Sequence, residues 1–220
     1  MRITVFGASG RTGIPLVRAA VADGHEVVAF VRTAEKLTRT PPDGGARIDA
    51  DDPNLEIVEG DAYTGEGVVE AVRGADAVVS VLGQTSGSPD DLLTVAGDHV
   101  LDAMRETGVR RFVGLVGAGV REPGESVSLP GRAMGVLLRL AAGSVLADAE
   151  THVQRVEETN LDWTVARVPR LTDDPGTGEY RAGDVTLGFE AVSRADVAQM
   201  LLDTVVDEAY VRELPKVGPA

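Results

Sequence analysis

Cysteine is absent from this chain of 220 residues, lysine occurs only at Lys36 and Lys216, and aromatic side chains make up 4% of it. Without a thiol there is no disulfide, no thiolate nucleophile and no cysteine-ligated metal. No apolar run approaches the length of a membrane span; the longest, Met134 to Leu146, is short and interrupted by Arg139. The chain enters a strand-like segment at once, so no secretory signal is expected, and a cytoplasmic location follows as the default. No cluster of His, Asp and Glu has metal-ligand spacing. Positive charge is also scarce. Nineteen Arg and 2 Lys stand against 35 acids, 19 of them Asp, for a net charge of −14. A surface this acidic repels DNA and RNA. Abundant Asp with scarce Lys resembles the composition of proteins from salt-loving archaea. A GC-rich genome accounts for the arginine bias but not for the acidic excess, so the halophilic reading is preferred.

What is present starts with glycine. Gly7-Ala8-Ser9-Gly10-Arg11-Thr12-Gly13 follows the apolar run Ile3-Thr4-Val5-Phe6 and opens an amphipathic stretch. Glycines let a backbone turn sharply and approach a pyrophosphate, and the unpaired N–H groups and dipole of the following helix favour its negative charge. The spacing is Gly-x-x-Gly-x-x-Gly, not the commonest dinucleotide fingerprint. A plain strand-to-helix turn is the alternative.

Strand-like and helix-like segments then alternate, which implies an α/β fold: one domain over residues 1–220, a Rossmann-like doubly wound parallel sheet with helices on both faces. Strands are expected at 2–6, 26–31, 55–58, 76–82, 111–116 and 163–168. Helices are expected at about 12–23, 68–72, 88–107, 133–159 and 194–206. Ser88-Pro89 reads as an N-cap with proline at N1, Gly143-Ser144 as a break, Ser193 as the cap of the last helix, and 211–214 as a final edge strand. Residues 40–54 read as a polar loop. About 121–150 and 171–192 form the acceptor side.

The second strand ends Phe30-Val31-Arg32-Thr33, with no acid at its tip and Lys36 one turn later. An acid there would accept hydrogen bonds from a ribose 2′-hydroxyl, whereas a guanidinium suits a 2′-phosphate. NADPH is therefore expected over NADH, unless Arg32 is simply a solvated residue at a strand end. Gly60-Asp61-Ala62 follows strand three where adenine would lie, and Val81-Leu82-Gly83 ends strand four, where Gly83 lets the backbone pass close to ribose and pyrophosphate.

These pieces resemble the atypical short-chain dehydrogenase/reductase family, in the branch of NmrA-like proteins and biliverdin reductase B or flavin reductases. The matching segments are GASGRTG at 7–13, FVR at 30–32, GDA at 60–62, GVRRFVGLVGAG at 108–119, NLDWTVARVPRL at 160–171 and SRADVA at 193–198. The resemblance implies that Ser9, Gly10, Arg11 and Thr12 bind the pyrophosphate and Arg32 the 2′-phosphate. It also implies that Asp61 and Ala62 flank adenine, and that Val168-Pro169-Arg170 sits by the nicotinamide carboxamide.

Departures bear on the chemistry. Tyr63, Tyr180 and Tyr210 have no lysine four residues on, so the Tyr-x-x-x-Lys acid–base pair of mainstream members is missing, and Gly117 replaces the serine often found after strand five. Hydride transfer to a flavin or quinone asks little more of the protein than positioning. His152 lies near the place where the related reductases keep a pocket histidine; it either donates a proton or shapes the pocket, or it is a polar helix residue facing water. His99 reads as a packing or surface residue. Met134 to Leu146 covers an apolar acceptor, packs on a second subunit, or belongs to an ordinary core helix. The expectation is an NADPH-dependent reductase of a small aromatic, flavin-, quinone- or tetrapyrrole-like acceptor, monomeric or homodimeric, walled by Gly117-Ala118, Pro169 and the 134–152 helix. A non-catalytic NADP(H) sensor in the NmrA manner is the rival.

Overall fold

The computed structural model describes residues 1–41, 44–122, 124–125 and 129–220, of which 129–142 are described as backbone only. The elements in chain order are β1 (Arg2–Phe6), α1 (Gly13–Ala22), β2 (Glu26–Val31), a 3-10 turn (Ala34–Lys36), β3 (Leu55–Glu59), α2 (Val68–Val72), β4 (Ala77–Ser80) and α3 (Leu92–Thr107). They continue with β5 (Arg111–Gly117), α4 (Leu129–Glu157), β6 (Asp162–Val168), β7 (Arg170–Thr172), β8 (Tyr180–Gly183), β9 (Ala191–Ser193), α5 (Arg194–Val206) and β10 (Lys216–Pro219).

Eight strands form one sheet in the order β3-β2-β1-β4-β5-β6-β10-β8, and β7 pairs β9 in a separate small ladder. All neighbours in the large sheet are parallel except β10 and β8. This is the Rossmann-like arrangement, with the chain reversing direction across the sheet between β1 and β4. β1 and β2 are buried on both faces, which is why they read as continuous apolar runs. One core, with Ile3, Val5, Leu16, Val113 and Leu201, lies under α1 and α5; the other, with Phe6, Val28, Phe112, Val156 and Trp163, lies under α2, α3 and α4. No helix among the described residues is long and apolar enough to cross a membrane.

Three local expectations are corrected. Helix α3 begins at Leu92, not at Ser88-Pro89, and its own N-cap position, Asp91, makes no side-chain cap. Ser88 instead accepts a hydrogen bond from the Thr85 amide at 3.0 Å in a preceding turn. The cap comes from another helix: the buried Asp148 carboxylate of α4 accepts from the Leu93 amide at 2.8 Å, the Thr94 amide at 2.9 Å and the Thr94 hydroxyl at 2.7 Å. Helix α4 runs through Gly143-Ser144 without a break. A glycine there costs only about 1 kcal/mol, which flanking helical turns outweigh. The final strand is Lys216–Pro219, not 211–214, and it lies between β6 and β8 rather than at an edge. Glu208, Tyr210 and Arg212 adopt φ of 49°, 56° and 61°, which an extended strand cannot contain. Those turns are held by the buried Arg111 guanidinium, which donates to the carbonyls of Thr204 at 2.8 Å and Ala209 at 2.9 Å.

Candidate functional site

Parallel strands point their carboxyl ends the same way, so the sheet order lines up the expected residues along one rim. Asp61 follows β3, Arg32 follows β2, the glycine turn follows β1, Leu82 and Gly83 follow β4, Gly117 ends β5 and Pro169 follows β6. Such a crevice at a strand-order reversal is where open α/β sheets bind ligands.

The glycine turn is dictated by contacts of its own backbone. Gly7 has φ of +79°, and a Cβ there would lie 2.9 Å from the Val81 carbonyl carbon and oxygen. A Cβ on Gly13 would lie 2.1 Å from the Gly7 carbonyl oxygen, so α1 can start this close to β1 only with glycine. The Gly10 amide donates to the Gly7 carbonyl at 2.9 Å and closes the turn. Thr12, at the N-cap of α1, makes no side-chain cap. In the first turn of α1 the Ile14 amide donates to the Gly10 carbonyl at 3.0 Å and Pro15 has no N–H, so it is chiefly the helix dipole that favours an anion there. Arg11 projects from the turn with 57% of its side chain exposed.

Arg32 and Lys36 are exposed beside this turn. A third cation, Arg39, was not singled out from the sequence; its Nη2 donates to the Ser9 carbonyl at 3.2 Å. The only signal for it was its position on the same short stretch as Lys36. The first forty residues carry six cations and three acids, whereas the remainder carries 15 cations and 32 acids. Four of those six, Arg11, Arg32, Lys36 and Arg39, lie on or just after the turns that follow β1 and β2, whereas Arg2 stands at the opposite end of β1 and Arg18 within α1. Next to Arg32 is a hollow of about 290 Å³ lined by Arg32, Glu59, Gly60, Asp61 and Glu66. Glu59 accepts from the Ala34 amide at 2.6 Å, and Asp61 accepts from the Tyr63 amide at 2.9 Å, so both carboxylates are fixed by backbone donors. Ala62 is buried, and its carbonyl lies 3.0 Å from His99 Nδ1. His99 therefore pins this loop to α3, a role that its place beside an apolar helix stripe did not reveal. A larger hollow of about 710 Å³ opens at the opposite rim, between Asp102, Arg105, Arg110 and Arg155, and none of the expected site residues lines it.

At the other end of the rim, Gly83 and Gly117 are exposed and Pro169 is partly so. The Ala118 amide donates to the Val168 carbonyl at 2.7 Å, which holds the ends of β5 and β6 together. Here the chain is secured by charge. Buried Arg167 donates to Glu125 at 2.6 Å, and Lys216 pairs with the other oxygen of Glu125 at 2.7 Å. Burial pushes the Glu125 carboxyl up, but the hydrogen bonds from Lys216 and Arg167 outweigh it and bring its pKa to about 2.

A family model for NAD(P)H-binding proteins matches residues 7–208, from the first glycine of the turn to just past the last helix. The chain belongs to the NAD(P)H-binding family. It is 28% identical to the Arabidopsis thaliana protein At2g34460, chloroplastic, over 94% of this chain and 72% of that one. Among solved structures it resembles ChuY, an anaerobilin reductase from Escherichia coli O157:H7, with a TM-score of 0.77 and 22% identity over 100% of this chain and 97% of that one. It also resembles a short-chain dehydrogenase/reductase from Veillonella parvula in complex with NADP, with a TM-score of 0.76 and 20% identity over 99% of this chain and 94% of that one. At such identities the two structures speak for the fold.

Within this NAD(P)H-binding fold, His152 is placed away from the rim. It is 5% exposed, and its ring stands edge-on to Phe112 near the start of β5, with centroids 6.3 Å apart. A Cβ on Gly97 of α3 would lie 2.3 Å from His152 Nδ1, so glycine makes room for the ring between two helices. That nitrogen is buried without a hydrogen-bond partner among the described residues. Burial lowers the imidazole pKa to about 4 against the opposing pull of Asp148 and Asp98, which keeps it neutral near pH 7. His152 is thus neither at the pocket nor facing water. Helix α4 packs on both α3 and the sheet, and this side of it is buried between them. The hydroxyls of Tyr63 and Tyr180 donate to Asp91 and Asp203, which raises both pKa values; Tyr63 is governed mainly by its hydrogen bond, Tyr180 mainly by burial. Of the expected cover from Met134 to Leu146, the side chains up to Ala142 lie outside the described ones, and in the rest Val145 is exposed.

Proposed function

We propose that the protein is an NADPH-dependent oxidoreductase that passes a hydride directly to a flavin-, quinone- or tetrapyrrole-like acceptor. The observation that carries this reading is the backbone-locked glycine turn flanked by Arg11, Arg32, Lys36 and Arg39 in an otherwise acidic chain. Ser9, Arg11, Thr12 and Gly13 would hold the pyrophosphate with backbone amides and the α1 dipole, while Gly10, its own amide closing the turn onto Gly7, would let the phosphate approach the backbone. Arg32, with Lys36 and Arg39 nearby, would take the 2′-phosphate, while Asp61 and Ala62 would flank the adenine, where the Glu59 and Asp61 carboxylates suit an exocyclic amine donor. Leu82 and Gly83 would pass along the nicotinamide ribose, and Gly117 and Pro169 would flank the nicotinamide.

When bound, NADPH supplies the hydride; the chain supplies position. Among the described residues, His152 is buried and the hydroxyls of Tyr63 and Tyr180 are held by Asp91 and Asp203, so the acceptor's heteroatom would take its proton from solvent. An aromatic acceptor of this kind tolerates that arrangement because its reduced anion is delocalised. The burial of His152 also favours the rival, a cofactor-binding sensor that transfers nothing. One assay separates them. Purified protein is mixed with NADPH and FMN, FAD, quinones or biliverdin, and the nicotinamide absorbance is followed. Acceptor-dependent loss of NADPH supports the reductase, whereas tight NADPH binding with no turnover on any acceptor supports the sensor.

A further inference from the structure

SRADVA at 193–198 plays no part in the cofactor reading above, yet its side chains grip the segment after β7 at several points. Ser193 caps α5, its Oγ accepting from the Asp196 amide at 3.0 Å. The Asp196 carboxylate accepts from the amides of Thr177 at 2.8 Å and Gly178 at 2.9 Å. A Cβ on Gly176 would lie 2.9 Å from the Ala195 Cβ, so this segment sits directly on the helix. Arg194, only 11% exposed along its side chain, donates to Asp173 Oδ1 at 2.7 Å.

The other oxygen of Asp173 goes elsewhere. Arg11 of the glycine turn, 162 residues away in sequence, reaches Oδ2 at 3.2 Å. One carboxylate therefore serves two guanidiniums, one fixed on α5 and one exposed on the turn. Arg11 and Arg194 lie close enough that Arg11 contributes, after burial, to lowering the pKa of Arg194, and Asp173 offsets that repulsion. Asp173 is four residues beyond Pro169. On the cofactor reading above, a dinucleotide reaching from the glycine turn to Pro169 would pass the stretch that the Arg11–Asp173 pair spans.

We propose that Asp173 is a positioning residue for the dinucleotide: it ties the acceptor-side wall to the glycine turn and slows departure of the cofactor. The proposal rests on the cofactor reading above. Removing the carboxylate leaves Arg11 free to swing out and Arg194 facing it without a counter-ion, so the wall separates from the turn. The pair is partly exposed, so its effect is modest.

The test uses the full chain and stopped-flow fluorescence of bound NADPH chased with excess NADP⁺. Asp173→Asn should speed release about three- to tenfold while leaving association within about twofold, and Asp173→Glu should restore slow release. Adding Asp173→Asn to Arg11→Ala should speed release no further, because the pair is already broken. Should Asp173→Asn fold poorly, hydrogen exchange at Asp173–Gly178 in the wild type gives the second readout, and NADPH should slow it. Release at the wild-type rate in Asp173→Asn, or exchange unaffected by NADPH, overturns the positioning role alone. If the wild type binds neither NADPH nor NADH, the cofactor reading falls and takes this role with it.

Discussion

The two ends of the rim are built by different means. At the glycine turn, backbone packs on backbone: Gly7 against Val81, Gly13 against the Gly7 carbonyl, and strand registers that run without interruption from β3 to β4. At the end formed by β5 and β6, side chains do the joining: Arg167 and Lys216 to Glu125, Arg194 to Asp173, and Asp196 to Thr177, with Arg11 of the turn reaching across to Asp173. On the proposed reading, the first kind of construction fixes where a phosphate would go. The second can be re-cut by exchanging a few charges, which suits a scaffold whose cofactor is constant and whose acceptor varies.

If the turn is as unforgiving as its contacts indicate, Gly13→Val gives the largest effect. No side chain can give way around a Cβ 2.1 Å from a carbonyl oxygen, so cofactor affinity should fall at least about 100-fold or the chain should fail to fold. Calorimetric titration and circular dichroism read the two outcomes; wild-type affinity would break the comparison. Asp148→Ala comes next. It strips α3 of its cap and leaves buried amides unpaired, so stability should drop by about 3 kcal/mol, a melting-temperature loss of roughly 6–12 °C. A loss under about 1 kcal/mol would show that α3 caps itself.

His152 sharpens the comparison through pH. Its folded-state pKa of about 4 lies below its ordinary value of 6.5, so the unfolded chain binds the proton first. Its contribution to stability is therefore intact above about pH 6.5 and is lost as pH falls towards 4, by up to about 3 kcal/mol. Urea melts across that window should show a shallower pH slope in His152→Met than in the wild type, with turnover unchanged at pH 7.5. Loss of turnover in that variant would return His152 to the pocket. The smallest expected effect is at Arg32. Arg32→Ala should weaken NADPH about tenfold relative to NADH, because one charge-assisted contact of three nearby cations is lost. An unchanged ratio would move the 2′-phosphate away from Arg32.

How much of this could be read in advance follows from the same contrast. The glycine turn, Arg32 and the loop at Asp61 are short contiguous signals, each at the end of an apolar run, so sequence order placed them on the rim. The cap of α3 could not be read, since Asp148 lies 55 residues from Leu93 and competes with a local Ser-Pro pair that looks more like a cap. His152 was misplaced for a related reason: the space for its ring is made by Gly97 on another helix. The strand at Lys216–Pro219 was displaced by left-handed residues at Glu208, Tyr210 and Arg212, which carry no glycine to announce them. Asp173 and Arg39 were missed because each acts through a partner that only the fold brings near.

The central claim is that a phosphorylated dinucleotide rests on the turn after β1 with Arg32 beside its 2′-phosphate. Isothermal titration of the full chain with NADPH and, separately, NADH tests it most directly. The account predicts one saturable site per chain, with NADPH bound at least about tenfold more tightly than NADH. Heat from neither ligand at millimolar concentration, or equal affinity for both, would contradict it.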